Sequence, residues 1–124
     1  MPLLDPTFTV TNNPAANTMA SATHAAVTGK GHICNTIHCT FNAGGVAPTA
    51  IQVSMVLRDG ATGVGTVLWS SQMALPAVAG QASPVLEQSG LAIQGTAGNA
   101  MTLEFTAAGG ANTFETVALT GFVT

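Results

Sequence analysis

Histidine and cysteine crowd one short stretch of this chain: His32, Cys34, His38 and Cys39 all fall within GHICNTIHC, Gly31 to Cys39. Imidazole and thiolate at short spacing are the ligand types of zinc. Alternation makes the stretch a strand, which places His32, Cys34 and His38 on one face and Cys39 on the other. His32 and His38 are then ~20 Å apart at ~3.3 Å per residue. Ligands of one metal stand only ~2 Å from it, so a straight strand does not gather these four. His32 with Cys34, adjacent on one face, is left as a pair that would serve only a metal shared between subunits, and the expectation is that no metal is held. A Cys34–Cys39 disulfide fails on the same geometry, with ~16 Å along the strand against a usual Cα separation of ~5.5 Å.

Other chemistry is equally unsupported. No serine occupies a G-x-S-x-G elbow, Asp5 and Asp59 fall in an arm and a turn, and His24 has no partner nearby in sequence, so no catalytic triad is expected. Glu87, Glu104 and Glu115 are spread over three strands, where the simplest expectation is solvated outward positions rather than a carboxylate pair for glycoside hydrolysis. Gly63-Val64-Gly65 precedes no helix whose N-terminus would hold a phosphate. Arg58-Asp59 is expected to flank a turn. The expectation is therefore a protein that is not an enzyme, with no catalytic, cofactor or metal residues.

The elements around these residues read as strands. From Ala50 to Met73, two alternating runs flank a Gly-rich turn: Ile51, Val53, Met55 and Leu57 share one parity, as do Val67, Trp69 and Met73. That predicts a hairpin turning through Asp59-Gly60, Gly63 and Gly65, with the turn in solvent. Ile33, Ile37, Cys39 and Phe41 form the apolar face of the preceding strand. Ala82 to Gln88 is interrupted by Pro84, which suits a sheet edge, and Leu91 to Gln94 is a short apolar piece. Met101, Leu103 and Phe105 point inward from the next strand, with Thr102, Glu104 and Thr106 outward. Thr113 to Val123 carries apolar residues on both parities, as a central or interface strand does.

Residues 1–20 hold three prolines and leave room for one short strand near Phe8 and Val10, so they read as an extended arm, with Leu3, Leu4 and Phe8 available to lie on a neighbouring subunit. Ala15 to Val27 is alanine-rich, but its threonines and Ser21 favour strand or irregular backbone. Residues 21–124 then form one domain. Some seven or eight strands at ten-residue spacing, without an amphipathic helix to cover a sheet, predict an all-β two-sheet sandwich or jelly roll.

Charged residues make up 6% of the chain, with only Lys30 and Arg58 basic and a net charge of -3. The ordinary charged fraction is roughly 25%. A nucleic-acid groove has no cations to be built from. Neutral, small side chains protect sheet edges poorly and repel copies poorly, which points to a surface covered by other subunits. The first residues show no basic n-region, and no apolar run is long enough for a membrane helix despite a mean hydropathy of +0.43. One tryptophan and no tyrosine do not make the aromatic girdles of a membrane barrel. The expected setting is a cytoplasm.

The segments LRDGATGVGTVLW (Leu57 to Trp69), LAIQGTAGNAMTLEFTAAG (Leu91 to Gly109) and TFETVALTGF (Thr113 to Phe122) together resemble small β-rich virion proteins of tailed bacteriophages that decorate or cement the capsid. The resemblance spans roughly Ile33 to Thr124 and lies in sequence texture, so no site residue is carried over. It implies a homotrimer on the capsid surface, contacting the major capsid protein, assembled in the host cytoplasm and without enzyme activity. The other reading of the same sandwich is a tail or fibre module whose Trp69 region or loops recognise host-surface carbohydrate. A flat threonine-rich, ice-binding surface is a more distant one.

Overall fold

The computed structural model describes residues 7–48, 52–74, 76 and 78–124. The expectations placed on Leu3, Leu4, Asp5 and Ile51 lie outside them. Among the described residues there is no helix. Nine strands form two antiparallel sheets: β1 (Thr7–Asn12), β2 (Ser21–His24), β3 (His32–Ala43), β4 (Gln52–Asp59), β5 (Thr66–Ala74), β6 (Leu86–Gln88), β7 (Ile93–Gln94), β8 (Met101–Phe105) and β9 (Thr113–Val123). The first sheet runs β1-β9-β3-β6, with β7 also on β3, and the second runs β2-β8-β4-β5. First strand pairs with last, second with second-last, and so inward to the β4–β5 hairpin, which is the wrapped order of a jelly roll.

The inner faces meet in one apolar core. Phe41 and Phe105 pack tilted across the sheets with centroids 6.1 Å apart, joined by Ile37, Met55, Leu57, Met101, Leu103, Val117 and Leu119. β9 lies between β1 and β3, the central place its two apolar parities predict. Pro84 precedes the short edge strand β6, again as expected.

Two expectations are corrected. First, alternation breaks inside β3: the β3–β9 register shifts between Cys34 and Thr36. One extra residue in a bulge reverses the faces that follow, so His32 and Cys34 look inward together with Ile37, Cys39 and Phe41, while His38 looks out. Gly121 of β9 sits opposite this bulge, and a methyl group there would collide with the Ile33 carbonyl oxygen. Second, a register shift between Leu57 and Arg58 leaves Leu68 as the extra residue of β5, so Trp69 and Met73 keep the inward parity and Val67, 45% exposed, does not. Thr7–Asn12 is the short strand expected near Phe8 and Val10. It pairs residue by residue along β9, from Thr7 opposite Phe122 to Asn12 opposite Val117, and Phe8 is buried in the core.

Candidate functional site

The simplest expectation places Glu104 and Glu115 in solvent, and both are 1% exposed. Glu104 lies on the outer side of β8, where the β4–β5 turn folds back over the strand. Arg58 of β4 donates through Nε to Glu104 Oε1, and the Gly63 N–H reaches Oε1 and Oε2 at 3.1 and 3.3 Å. Gly63 adopts a φ of 71° to do so. The neighbouring Thr102 hydroxyl donates to the Gly60 carbonyl at 2.8 Å, and Thr62 and Ser21 hydroxyls stand 2.6 Å apart. The turn is solvent-exposed at its tip but fastened by its polar groups, so the outward-facing Thr102 and Glu104 are buried as well as the three core residues of β8.

Asp59 ends β4 by accepting the Thr96 N–H at 2.9 Å, the Thr96 hydroxyl at 2.5 Å and the Asn99 amide at 3.3 Å. Burial opposes its charged form, but these donors outweigh burial and hold the carboxyl below its usual range. Arg58 and Asp59 flank a turn as expected, and each is also committed to a different segment.

Glu115 lies on the inward face of β9. Its Oε1 accepts the Ala20 N–H at 3.0 Å, while Oε2 has no partner. Burial pushes its pKa up to about 7, against the pull of that single N–H. Cys39 on β3 is pushed up to about 12 by burial and by Glu115, and Cys34 to about 11 by burial. Both cysteines are free and buried.

The bulge also creates a contact invisible in the sequence. His24 Nδ1 and His32 Nε2 lie 2.7 Å apart, beneath the ring of Phe8, which stacks on His24 with centroids 4.2 Å apart and meets His32 edge-on at 5.5 Å. Cys34 is not brought into a metal-binding group with them: no cluster of three or more candidate ligands exists among the described residues. His38, on the outer face, pairs instead with Glu87 of β6 at 3.5 Å.

No family model matches this chain. No curated protein matches it either. Solved structures with a related arrangement include a CBM4 carbohydrate-binding module, at 14% identity and a TM-score of 0.46 over 83% of this chain. Another is the arabinose-bound α-L-arabinofuranosidase MgGH51, at 13% identity and a TM-score of 0.46 over 87% of this chain. The chain spans 60% of the first protein's length and 18% of the second's.

Two surface features remain. Across β1, β9 and β3 the outer face of the first sheet carries no acidic or basic side chain other than His38 and is set in rows, Thr7–Phe122–Ile33, Thr9–Thr120–Thr36 and Thr11–Ala118–His38, continued by Thr116–Thr40 and Phe114–Asn42, with Glu87 on the adjoining β6. The hydroxyls of Thr9 and Thr120 stand 3.1 Å apart, so threonines do line up across strands although no ladder is regular along them. At the open edge between β5 and β6 lies a cleft of ≈ 430 Å³ lined by Gln72, Met73, Ala74, Pro84, Val85, Leu86, Glu87 and Gln88. Trp69 borders this edge, its indole N–H donating to Gln88 Oε1 at 3.1 Å.

Proposed function

We propose that this chain is a structural virion protein that decorates and stabilises a bacteriophage capsid as a homotrimer bound to the major capsid protein. The observation that supports it is the withdrawal of charge from the surface. Of the charged residues in the described segments, Arg58 and Glu104 neutralise each other, Glu115 is in the core and Asp59 is saturated by donors. Lys30 and Glu87 are the charged residues left exposed there. A face of hydroxyls, small side chains and a half-exposed Phe114 is inexpensive to desolvate, whereas an ionic face is not. Such a face suits burial against a lattice, where binding of the folded form adds stability by mass action.

Co-sedimentation with undecorated phage shells tests the reading. Binding that saturates at a fixed ratio to the capsid subunit, and that hardly changes with added salt, is the expected result. Failure to bind any shell, or binding abolished by moderate salt, is the contrary one.

A second reading is favoured by the cleft. Its amides and Glu87 carboxylate among apolar lining residues such as Met73 and Leu86, with no cation among them, suit a neutral saccharide recognised at a host surface. Binding on a glycan array that is lost in Gln72→Ala and Gln88→Ala would favour this reading, and a blank array would remove it.

A further inference from the structure

We infer that the His24–His32 pair is an acid-sensitive latch that holds the β1–β2 flank of the sandwich shut at neutral pH. Among the described residues both strands are sheet edges, β1 pairing with β9 and β2 with β8, and the Ser21 N–H of β2 donates to Asn12 Oδ1 of β1 at 3.1 Å. They pack on each other at that flank. β1 is six residues long and β2 four. The one fully apolar side chain that β1 buries is Phe8, and its ring rests on the two imidazoles. The latch therefore sits under the anchor of the flank.

A single hydrogen bond joins the rings, so one nitrogen donates and the other must accept. His32 is 1% exposed and its Nδ1 has no partner. With both rings neutral, the arrangement in which His32 Nε2–H donates to His24 Nδ1 is the less costly of the two, because it leaves a lone pair rather than an N–H orphaned on His32. A proton added to His24 Nδ1 reverses the bond and forces His32 into the other tautomer, with a buried N–H that has no acceptor. A proton added to His32 instead buries a charge. A second proton sets two cations 2.7 Å apart. Each step costs, because unsatisfied buried donors and unpaired buried charges are expensive.

The surrounding groups offset this only in part. Asp59 on β4 is the acidic group whose charge reaches His32, but its oxygens are already held by Thr96 and Asn99. β3 adds Cys34, a thiol kept neutral by burial. β8 presents Met101 opposite His24, while Glu104 is on the other face with Arg58. β9 presents Val123 opposite His32. The face of Phe8 favours one positive ring beside it, which leaves the inner ring without relief. Burial and then the neighbouring His32 accordingly hold His24 below its ordinary pKa.

Hydrogen exchange on the full chain at pH about 7.5 and about 5, corrected for intrinsic rates, tests the latch. Protection of residues 7–12 and 21–24 should fall by about tenfold or more at the lower pH, with β3 and the β3-facing amides of β9 unchanged. His32→Phe, which keeps an aromatic ring and removes the pair, should lose that acid sensitivity. Equal protection at both pH values overturns the inference, as does a loss spread evenly over the sandwich or one that persists in His32→Phe. Should that variant not fold, an NMR titration of the wild type decides: His24 titrating below about 6.5 with a change of His32 tautomer supports the latch, and two independent, ordinary titrations overturn it.

Discussion

Glu104 and Glu115 occupy strands that pack against each other, β8 and β9, and both are 1% exposed, yet their surroundings are opposite. Glu104 faces outward, beside the Arg58 guanidinium of the neighbouring β4 and under a turn that brings it a backbone N–H. Glu115 faces the core, where one N–H meets one oxygen and the other oxygen meets nothing. The first is a carboxylate whose charge is balanced on site. The second is held protonated over much of the pH range by its burial. Depth alone does not decide what a buried acid does; the loop that closes over it does.

The sharpest way to break this contrast is Arg58→Met. Removing one member of a buried pair strands the other, which costs about 3–5 kcal/mol, so the urea midpoint should fall steeply. Pairing it with Glu104→Leu should recover most of that loss. If the single and double variants are equally unstable, the ion pair is not what holds the turn to β8.

Glu115 should respond in the opposite sense. Its folded pKa lies above its unfolded value, so the native state keeps a proton that the unfolded chain has already released. Its contribution to stability is whole below pH about 4.5, is lost as pH rises toward about 7, and amounts to about 3 kcal/mol at most. Glu115→Gln should remove this decline in a series of denaturant melts from pH 4 to 8. A decline of the same slope in that variant would mean another group produces it. His24 acts against it in part of the same range: its lowered pKa contributes stability that is present above pH about 6.5 and lost as pH falls below that. The Glu115 measurement is therefore a difference between variants, not a single curve.

Smaller effects refine the picture. Gly63→Ala places a side chain at φ 71° with nothing within 4 Å to clash, so it should cost only about 1 kcal/mol of backbone strain, measured by the shift in urea midpoint. Cys34 and Cys39, with pKa values raised to about 11 and about 12, should resist thiol reagents in the folded chain and react together on unfolding. Rapid native labelling of either would place it nearer solvent than the core packing allows.

Much of the scaffold was legible because alternation and Pro84 act locally. The edge strand after Pro84, the β4–β5 hairpin and the two-sided β9 all follow from residue order. The bulge in β3 was not legible, since nothing in HICNTIH distinguishes Asn35 as an extra residue. Missing it reversed the faces of His32 and Cys34 relative to Cys39 and hid the contact with His24. The depth of Glu104 was hidden for a related reason. Outward parity describes a strand's face, and the turn that covers this face returns from more than forty residues away. The charge count was legible from composition, but its distribution was not: only the folded chain brings Arg58 to Glu104 and turns Glu115 inward.

Sedimentation velocity over a wide range of protein concentration tests most directly the claim that a surface this poor in ions is built to be covered. A species of three times the 12.3 kDa chain mass, insensitive to added salt, is the predicted result. A 12.3 kDa monomer at every concentration that also fails to bind phage shells would contradict it.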